Sequence, residues 1–295
     1  MTILNVRHVT TYRYARAVAL GDHRLMLRPR DSHDLRLIHA HLKFSPAATV
    51  RWTHDVFGNS IATASFAAPA AELRIESSLR LEKYVVERPA AQITPEAAHY
   101  PSVYSADDRI DLGRLLERQH PDPADRLGAW ARGFLRTSPT GTMALLGDLN
   151  AGVTAWVSYQ SREMEGTQTP IETLNRGYGS CRDLAVLLLE AARTLGFGAR
   201  IVTGYLYNPA SDRAGGTAAT GAGTTHAWTE IYLPGAGWIA YDPTNKTVGG
   251  DDLIRIAVTR DISQAVPIAG SFVGAAGDYL GMTVDVSVAS EKATA

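Results

Sequence analysis

The apolar periodicity of the chain changes near residue 90, and this change limits the folds that the chain can adopt. Along residues 4–14 the even positions are mostly apolar or aromatic and the odd positions mostly polar, which is typical of a half-buried strand. The alternation recurs in several later segments, which are separated by turn signals such as Phe57-Gly58-Asn59. The pattern predicts an N-terminal β-sandwich-like domain over residues 1–90.

Helical spacing replaces this alternation after a proline-rich stretch. Prolines among small residues indicate a linker over residues 91–105. Apolar residues then recur at helical spacing in three segments, residues 110–116, 127–135 and about 143–163. Strands are predicted again at residues 199–207, 225–233 and 237–242. The predicted fold class is α+β, with the β-rich domain, the linker, and a core over residues 106–295 that ends in a strand-rich tail.

The amino-acid composition limits the kinds of function that the protein can have. The formal net charge of −1 over 295 residues gives no reason to expect a nucleic acid or an acidic membrane surface as a partner. No apolar run approaches the roughly 18 residues that cross a bilayer. The first residues lack the apolar segment and cleavage site of a signal peptide. We therefore expect a cytoplasmic protein.

The single cysteine, Cys181, excludes an internal disulfide and a multi-thiolate zinc site. A lone cysteine is most often a small buried hydrophobic residue, but the position of this one favours chemistry. Cys181 follows a glycine-rich entry and opens an apolar helical pattern, with Ser180 as a candidate N-cap and Asp183 completing an S-x-x-D capping pattern. A helix N-terminus favours the negatively charged thiolate, and its N–H groups can stabilise an oxyanion.

A general base and a residue that orients it can be found downstream. Of nine histidines only His226 follows Cys181, and it begins a predicted strand. Asp242 ends the next predicted strand, and Pro234-Gly235-Ala236-Gly237 joins the two as a hairpin connection. The hairpin brings His226 and Asp242 to one sheet edge, where Asp242 could hold the imidazole. Ordinary alternatives are a satisfied strand histidine and an aspartate that initiates a turn before proline.

Three motifs resemble the transglutaminase-like superfamily of cysteine enzymes: Gly179-x-Cys181-Arg-Asp-Leu-Ala, His226-Ala-Trp-Thr-Glu and Gly237-Trp-x-x-Tyr-Asp242-Pro-Thr-Asn. The resemblance implies a papain-like α+β core in which Cys181 is the nucleophile at a helix N-terminus, His226 the general base and Asp242 its orienter. The β-rich start and the C-terminal tail are similar to regions of bacterial members. Ser180 and Leu184-Ala185-Val186 depart from the pattern frequent in those members, which affects the expected substrate preference.

The expected activity is amide chemistry through a thioester, as in a transglutaminase-like cysteine protease or amidohydrolase. Hydrolysis of a peptide or side-chain amide is favoured, because water needs no dedicated acceptor site. The alternatives are acyl transfer to an amine and a catalytically silent protein-binding module. A metal site built from the same three residues is possible by ligand type, but it is disfavoured because structural zinc usually takes more thiolate and histidine ligands and catalytic zinc a better-defined set of three. The expected partner is a peptide or protein substrate, with no cofactor, and the sequence specifies no oligomeric state.

Overall fold

The computed structural model describes residues 1–84, 92–136, 138–161, 166–212, 220, 223–275 and 277–291. The N-terminal strands are β1 (Thr2–Leu20), β2 (His23–Arg28), β3 (Leu35–Ser45), β4 (Ala48–His54), β5 (Ser60–Phe66) and β6 (Ala70–Lys83). The middle contains β7 (His99–Tyr100), α1 (Ala106–Leu112), α2 (Arg126–Arg132), β8 (Thr140–Gly141), α3 (Thr142–Trp156), β9 (Ser158–Tyr159), α4 (Pro170–Arg176), β10 (Tyr178–Gly179) and α5 (Cys181–Thr194). There follow β11 (Ala199–Leu206), β12 (His226–Leu233), β13 (Gly237–Asp242), β14 (Thr247–Val248), β15 (Leu253–Thr259), β16 (Ile268–Ala269), β17 (Phe272–Val273) and β18 (Tyr279–Ser290).

The N-terminal strands form a sandwich of two antiparallel sheets. One sheet has the order β17-β1-β6-β3, with β18 also paired to β1, and the other has the order β16-β2-β5-β4. Inward-facing residues such as Leu73 and Ile75 from the first sheet and Leu25 and Ala62 from the second form one buried apolar cluster. The structure therefore confirms the sandwich that the period-two pattern predicts.

The C-terminal tail pairs with this sandwich rather than with the sheet of the α+β core. β18 runs along β1 from Leu4↔Ser290 to Tyr14↔Tyr279, and β16 and β17 pair with β2 and β1. The division made from the sequence, in which residues 106–295 form one core with the tail, differs from this arrangement. Local periodicity predicts that a segment is a strand but carries no information about which distant strand it will pair with.

The core consists of an antiparallel sheet with α5 packed against it. The sheet order is β14-β13-β12-β11-β15, and α5 lies against β12 and β11. The apolar face predicted for α5 is buried in the main core cluster, with Leu184, Leu187, Leu188, Ala191 and Leu195. Gly196, which takes a left-handed φ of +87°, follows the last residue of the helical pattern. The structure confirms the predicted α+β class.

Three other helices pack beside α5, and the helices differ from prediction in three respects: α4 is not predicted, α1 begins at Ala106 instead of residue 110, and α3 is shorter than expected. α2, α3 and α4 all contact α5. The third predicted helix ends at Trp156 instead of continuing to about residue 163, because Val157 is extended and β9 follows it. Among the described residues no helix is both long enough and apolar enough to span a membrane.

The described part of the predicted linker, residues 92–105, packs against the core. Ala97 and Tyr104 are buried in it. The Tyr104 hydroxyl donates to the Tyr232 carbonyl (2.8 Å) and accepts from the Gly198 N–H (2.9 Å). The prolines and small residues therefore indicate a segment of irregular structure. This segment is packed against the core and is not a flexible linker.

A buried ion pair fastens the C-terminal end of α5. Arg193 Nη1 lies 2.8 Å from Glu190 Oε1, and neither side chain is exposed to solvent. Arg193 also donates to the carbonyls of Ala199 and Arg260, at 2.9 and 2.8 Å. Glu190 accepts the Gln119 N–H at 2.7 Å. The pair thus joins α5 to three other segments of the chain.

Replacing Arg193 with methionine should destabilise the fold by about 3–5 kcal/mol, because the Glu190 carboxylate would remain buried without its cation. Urea unfolding followed by circular dichroism measures this loss. Arg114→Met is the matched control, since Arg114 forms an exposed pair with Glu117 and such pairs contribute about 0–1 kcal/mol. Similar losses in the two variants would contradict the structural role of the buried pair.

The sandwich and the core share an apolar interface that contains a buried histidine. Leu4 and Leu81 of the sandwich pack with Tyr205 and Ile254 of the core. His8 lies in this region. Its Nδ1 is 2.9 Å from the Tyr205 hydroxyl, and its Nε2 is 3.0 Å from the Thr10 hydroxyl. Desolvation by burial lowers the pKa of His8 from 6.5 to about 4, against a smaller opposing effect of Asp285.

This shift predicts a loss of stability on acidification. The unfolded chain binds a proton at His8 near pH 6.5, whereas the folded chain binds it only near pH 4, so stability falls as the pH drops through that window. The contribution is about 2 kcal/mol between pH 6.5 and pH 5. Urea unfolding across this range should show a shallower pH dependence for His8→Asn than for wild type. An unchanged slope would contradict the prediction, and His39→Asn, at an exposed position, is the control.

Candidate active site

Cys181 is the first residue of α5 and lies at the end of a short, strongly constrained approach. Gly177 ends α4 with a left-handed φ of +68°. β10 then pairs in parallel with β9 and leads directly to Ser180, the N-cap of α5. Cys181 is 8% exposed, and its Sγ lies 4.0 Å from the Thr225 carbonyl oxygen, next to His226. The structure thus places the thiol at a helix N-terminus, as the sequence predicts.

A buried carboxylate holds the start of this helix in place. Asp183 Oδ2 accepts the Ser180 N–H at 2.8 Å and the Ser180 hydroxyl at 2.9 Å. Asp183 Oδ1 accepts the Gln168 N–H at 2.7 Å. The aspartate of the S-x-x-D pattern therefore caps the helix and also ties it to the segment that precedes α4. These bonds fix the backbone position from which the thiol projects.

The β12–β13 hairpin brings His226 and Asp242 together. The ladder pairs Thr229 with Tyr241, so Asp242 lies opposite Trp228 and is a diagonal neighbour of His226 on one face of the sheet. His226 Nε2 and Asp242 Oδ2 are 2.8 Å apart, and both side chains are completely buried. The hairpin geometry predicted for these two residues is therefore present, and the ladder between them has no bulge.

Asp242 also organises the turn that follows it. Oδ1 accepts the Thr244 N–H at 3.0 Å, and Oδ2 accepts the Asn245 side-chain amide at 2.8 Å. Asp242 is therefore both the turn-initiating aspartate and the partner of the imidazole, two readings that the sequence leaves as alternatives. The extra donors keep the carboxylate ionised and fixed in orientation.

The pair is charged in spite of its burial. Desolvation alone would lower the pKa of His226, but the interactions with Asp242 and Cys181 outweigh it and raise the pKa to about 10. Desolvation would raise the pKa of Asp242, yet His226 and Asn245 hold it below its ordinary value. At neutral pH the pair is an imidazolium and a carboxylate.

The second ring nitrogen of His226 is the one available to the thiol. Nε2 is bonded to Asp242, and Nδ1 has no hydrogen-bond partner within geometric limits among the described residues. The Cys181 thiol lies close enough to His226 to help raise the pKa of the imidazole. Trp228 stacks on the imidazole with ring centroids 6.2 Å apart and shields the pair from water. Shielding strengthens the electrostatic coupling between the ring and its partners.

This arrangement can support nucleophilic chemistry at sulfur, since a thiol beside an oriented imidazole is readily converted to thiolate. It is a poorer match for a metal centre. The Asp242 carboxylate is directed at the imidazole instead of at a point shared with the thiol. In the described part of the chain, no three His, Cys, Asp or Glu side chains cluster in a way that could hold a metal ion.

Three nearby residues are not identified as site residues by the sequence analysis. Gln168 is buried with both polar atoms of its amide lacking partners in the described structure. Tyr159 on β9 is close enough to Cys181 for its pKa to be raised, mainly by burial and then by the thiol. Asn245 bonds to Asp242. The sequence contains a signal for Asn245 alone, since this residue belongs to the third family motif. Gln168 and Tyr159 are brought to the site by tertiary folding, which local sequence patterns do not reveal.

The glycine-rich segment at 211–223 has little apolar surface to bury, so its composition predicts a mobile segment beside the site, either a lid or a tolerated surface insertion. Most of this segment lies outside the described residues. Its described edges lie near the site, since the Thr220 carbonyl accepts the Asn245 amide at 3.4 Å. The Gly223 carbonyl accepts the Val286 N–H of β18 at 3.2 Å. Whether the segment acts as a lid stays a prediction.

Comparison with protein families finds a match for two regions of the chain. Residues 4–82 match the bacterial transglutaminase-like N-terminal region, and residues 129–243 match the transglutaminase-like superfamily. The second match contains Cys181, His226 and Asp242. The two matched regions coincide with the sandwich strands β1–β6 and with the part of the core that carries these three residues.

Two relatives and one solved structure are similar to this chain over most of its length. An uncharacterized protein of Mycobacterium leprae is 25% identical over 96% of this chain and 98% of its own length. One from Mycobacterium tuberculosis is 27% identical over 95% of this chain and 91% of its own length. The crystal structure of a "putative cysteine protease" from Cytophaga hutchinsonii has a TM-score of 0.74 at 19% identity, covering 99% of this chain and 91% of that one. The chain belongs to the transglutaminase-like superfamily of cysteine enzymes and carries the N-terminal region found in bacterial members.

Proposed function

We propose that the protein hydrolyses a peptide or side-chain amide through a thioester on Cys181. The observation that supports this most is the buried His226–Asp242 pair, in which Asp242 occupies Nε2, Nδ1 has no partner among the described residues, and the neighbouring Cys181 thiol helps raise the pKa of the imidazole. A charged imidazole next to a cysteine at a helix N-terminus favours the thiolate that amide attack requires. The name of the Cytophaga hutchinsonii neighbour supports the same substrate class.

In the proposed first half-reaction, the Cys181 thiolate attacks the carbonyl carbon of the amide. The N–H of Cys181 at the start of α5 donates to the developing oxyanion. His226 then transfers its Nδ1 proton to the leaving nitrogen, so the amine departs neutral and the thioester remains. Asp242 holds the ring through Nε2 and stabilises its protonated form.

In the proposed second half-reaction, His226 takes a proton from water as the water oxygen attacks the thioester carbon; the carbon–sulfur bond then breaks, which releases the carboxylic acid and restores the Cys181 thiolate beside the protonated imidazole. Water is the favoured acceptor because it needs no binding site of its own. Acyl transfer to an amine would follow the same first half-reaction and differ only in this step. The choice between acceptors is therefore a question for experiment.

Incubation with a peptide library and a fluorescent primary amine separates the outcomes. Peptide-bond hydrolysis creates new N-terminal amines, side-chain deamidation releases ammonia from intact peptides, and acyl transfer attaches the fluorophore. We expect new amines or ammonia in excess over attached fluorophore, with all three products absent for Cys181→Ala. Predominant attachment of the fluorescent amine would overturn hydrolysis, and product formed by Cys181→Ala would overturn the thioester.

A further inference from the structure

The N-terminal sandwich has a cleft that the proposed chemistry does not use. It has a volume of about 560 Å³ and lies between β3 and β4, where the two sheets separate. Ala40, Leu42 and Val50 form an apolar floor. Trp52 forms one wall and is 47% exposed, although it belongs to the apolar face of β4. A large aromatic side chain left uncovered beside apolar residues is typical of a binding surface.

Both walls of the cleft are sheet edges. β3 is the last strand of its sheet, and β4 is the last strand of the other. β3 extends over 11 residues and pairs on one side with β6. Alternate residues of an edge strand direct their N–H and C=O groups away from the sheet, where an extended peptide can pair with them. The cleft therefore offers backbone partners and an apolar pocket side by side.

The rim of the cleft is basic. The Arg28 guanidinium lies 5.9 Å from the centre of the Trp52 ring, and His41 is exposed on β3. A smaller cavity of about 320 Å³ shares Arg28 and is lined by both Arg30 and Asp31. The sandwich as a whole, residues 1–84 together with tail residues 268–291, contains twelve Lys and Arg against ten Asp and Glu, so its net positive charge is small. The basic character of the cleft is therefore local, and it comes from Arg28 and from Lys43, which is exposed on β3.

We propose that this cleft binds an extended acidic polypeptide segment, which adds as a strand to the edge of β3 that pairs with no other strand in the described part of the chain. Its apolar side chains would enter the cleft against Trp52, while its carboxylates would face Arg28 and the exposed His41 and Lys43 of β3. The same basic edge disfavours pairing with a second copy of this chain, because like charges would meet. The proposal does not depend on the chemistry at Cys181.

Fluorescence anisotropy with a defined probe tests the proposal. The probe is a labelled peptide of about twelve residues in which glutamate alternates with valine, because alternate side chains of a strand point to opposite faces. We expect saturable binding to the full-length protein that weakens as salt is added. A lysine–valine peptide of equal length should bind at least tenfold more weakly. An N-methylated glutamate–valine peptide, which cannot pair with a strand edge, should also lose at least tenfold.

Substitutions in the cleft locate the binding site. Trp52→Ala and Arg28→Glu should each weaken binding of the glutamate–valine peptide at least tenfold. Trp156→Ala, at a tryptophan 61% exposed on α3, and Arg51→Glu, on the outer face of β4, are matched controls with expected changes below threefold. Circular dichroism and thermal unfolding confirm that each variant is folded. Cys181→Ala should bind the peptide as wild type does, which separates this site from the amide chemistry.

Four results would overturn the proposal. The first is the absence of saturable binding of the glutamate–valine peptide. The second is equal binding by the folded Trp52→Ala and Arg28→Glu proteins. The third is binding of heparin that is as tight as that of the peptide and unaffected by Trp52→Ala, which would make this face a general polyanion surface. Equal binding of the N-methylated peptide would likewise overturn strand addition to β3.

Discussion

Replacing His226 with alanine should reduce kcat/KM for amide hydrolysis by about 10³-fold or more, to nearly the level of Cys181→Ser. Without the imidazole the thiolate loses its charged neighbour and the leaving nitrogen loses its proton donor. The two losses affect one catalytic unit, so His226→Ala combined with Cys181→Ser should be little worse than either change alone. Steady-state kinetics on the substrate found by library profiling measure the three variants.

The matched control for this change is His39→Ala, at an exposed histidine on β3 remote from the hairpin, and it should retain wild-type kcat/KM. Loss of buried packing next to Trp228 is a second effect of removing His226, so folding must be checked by thermal unfolding. Should folded His226→Ala retain wild-type turnover, the general base lies elsewhere and the proposed role of His226 fails.

Asp242→Asn should keep measurable turnover while changing its pH dependence. The asparagine carbonyl can still accept from Nε2, so the ring stays oriented, but the negative charge that raises the pKa of His226 to about 10 is gone. Activity that requires the imidazolium is lost as the pH rises through this pKa. The alkaline limb of the kcat/KM profile should therefore move to lower pH, with a decrease of roughly tenfold to a hundredfold at neutral pH.

The profile distinguishes an electrostatic role from a purely structural one. A residue that only holds the turn would reduce kcat/KM at every pH by the same factor, without moving the alkaline limb. Asp107→Asn, at an exposed position in α1, is the charge-matched control and should leave the profile unchanged. An unmoved alkaline limb in folded Asp242→Asn would contradict the account of the His226–Asp242 pair.

The sequence predicts those parts of the site that depend on local structure. The glycine-rich entry, Ser180 and the apolar face after it indicate that Cys181 begins a buried helix, and the structure has α5 from this residue. The hairpin predicted from residue 234 to residue 237 brings His226 and Asp242 to one face because its register is set by a short, regular connection. Local patterns are sufficient where the elements that carry a site are adjacent in the chain.

Features that depend on distant partners are not visible in the sequence. Gln168 reaches the start of α5 through Asp183, and no pattern around residue 168 signals this contact. The pairing of β18 with β1 joins the two ends of the chain, and the buried Arg193–Glu190 pair gathers backbone groups from separate segments. Periodicity predicts the helix or strand to which a residue belongs and the face on which it lies. Tertiary packing determines which other residues that face contacts.

Intact-protein mass spectrometry after rapid acid quenching tests the central claim most directly. During turnover of an amide substrate, wild type should gain the mass of the acyl part, and peptide mapping should place it on Cys181 as a hydroxylamine-sensitive thioester. Asp242→Asn should form the same adduct more slowly, and Cys181→Ser should form no thioester. Turnover without any adduct on Cys181 under conditions that slow hydrolysis, or an adduct on another residue that is kinetically competent, would contradict the account.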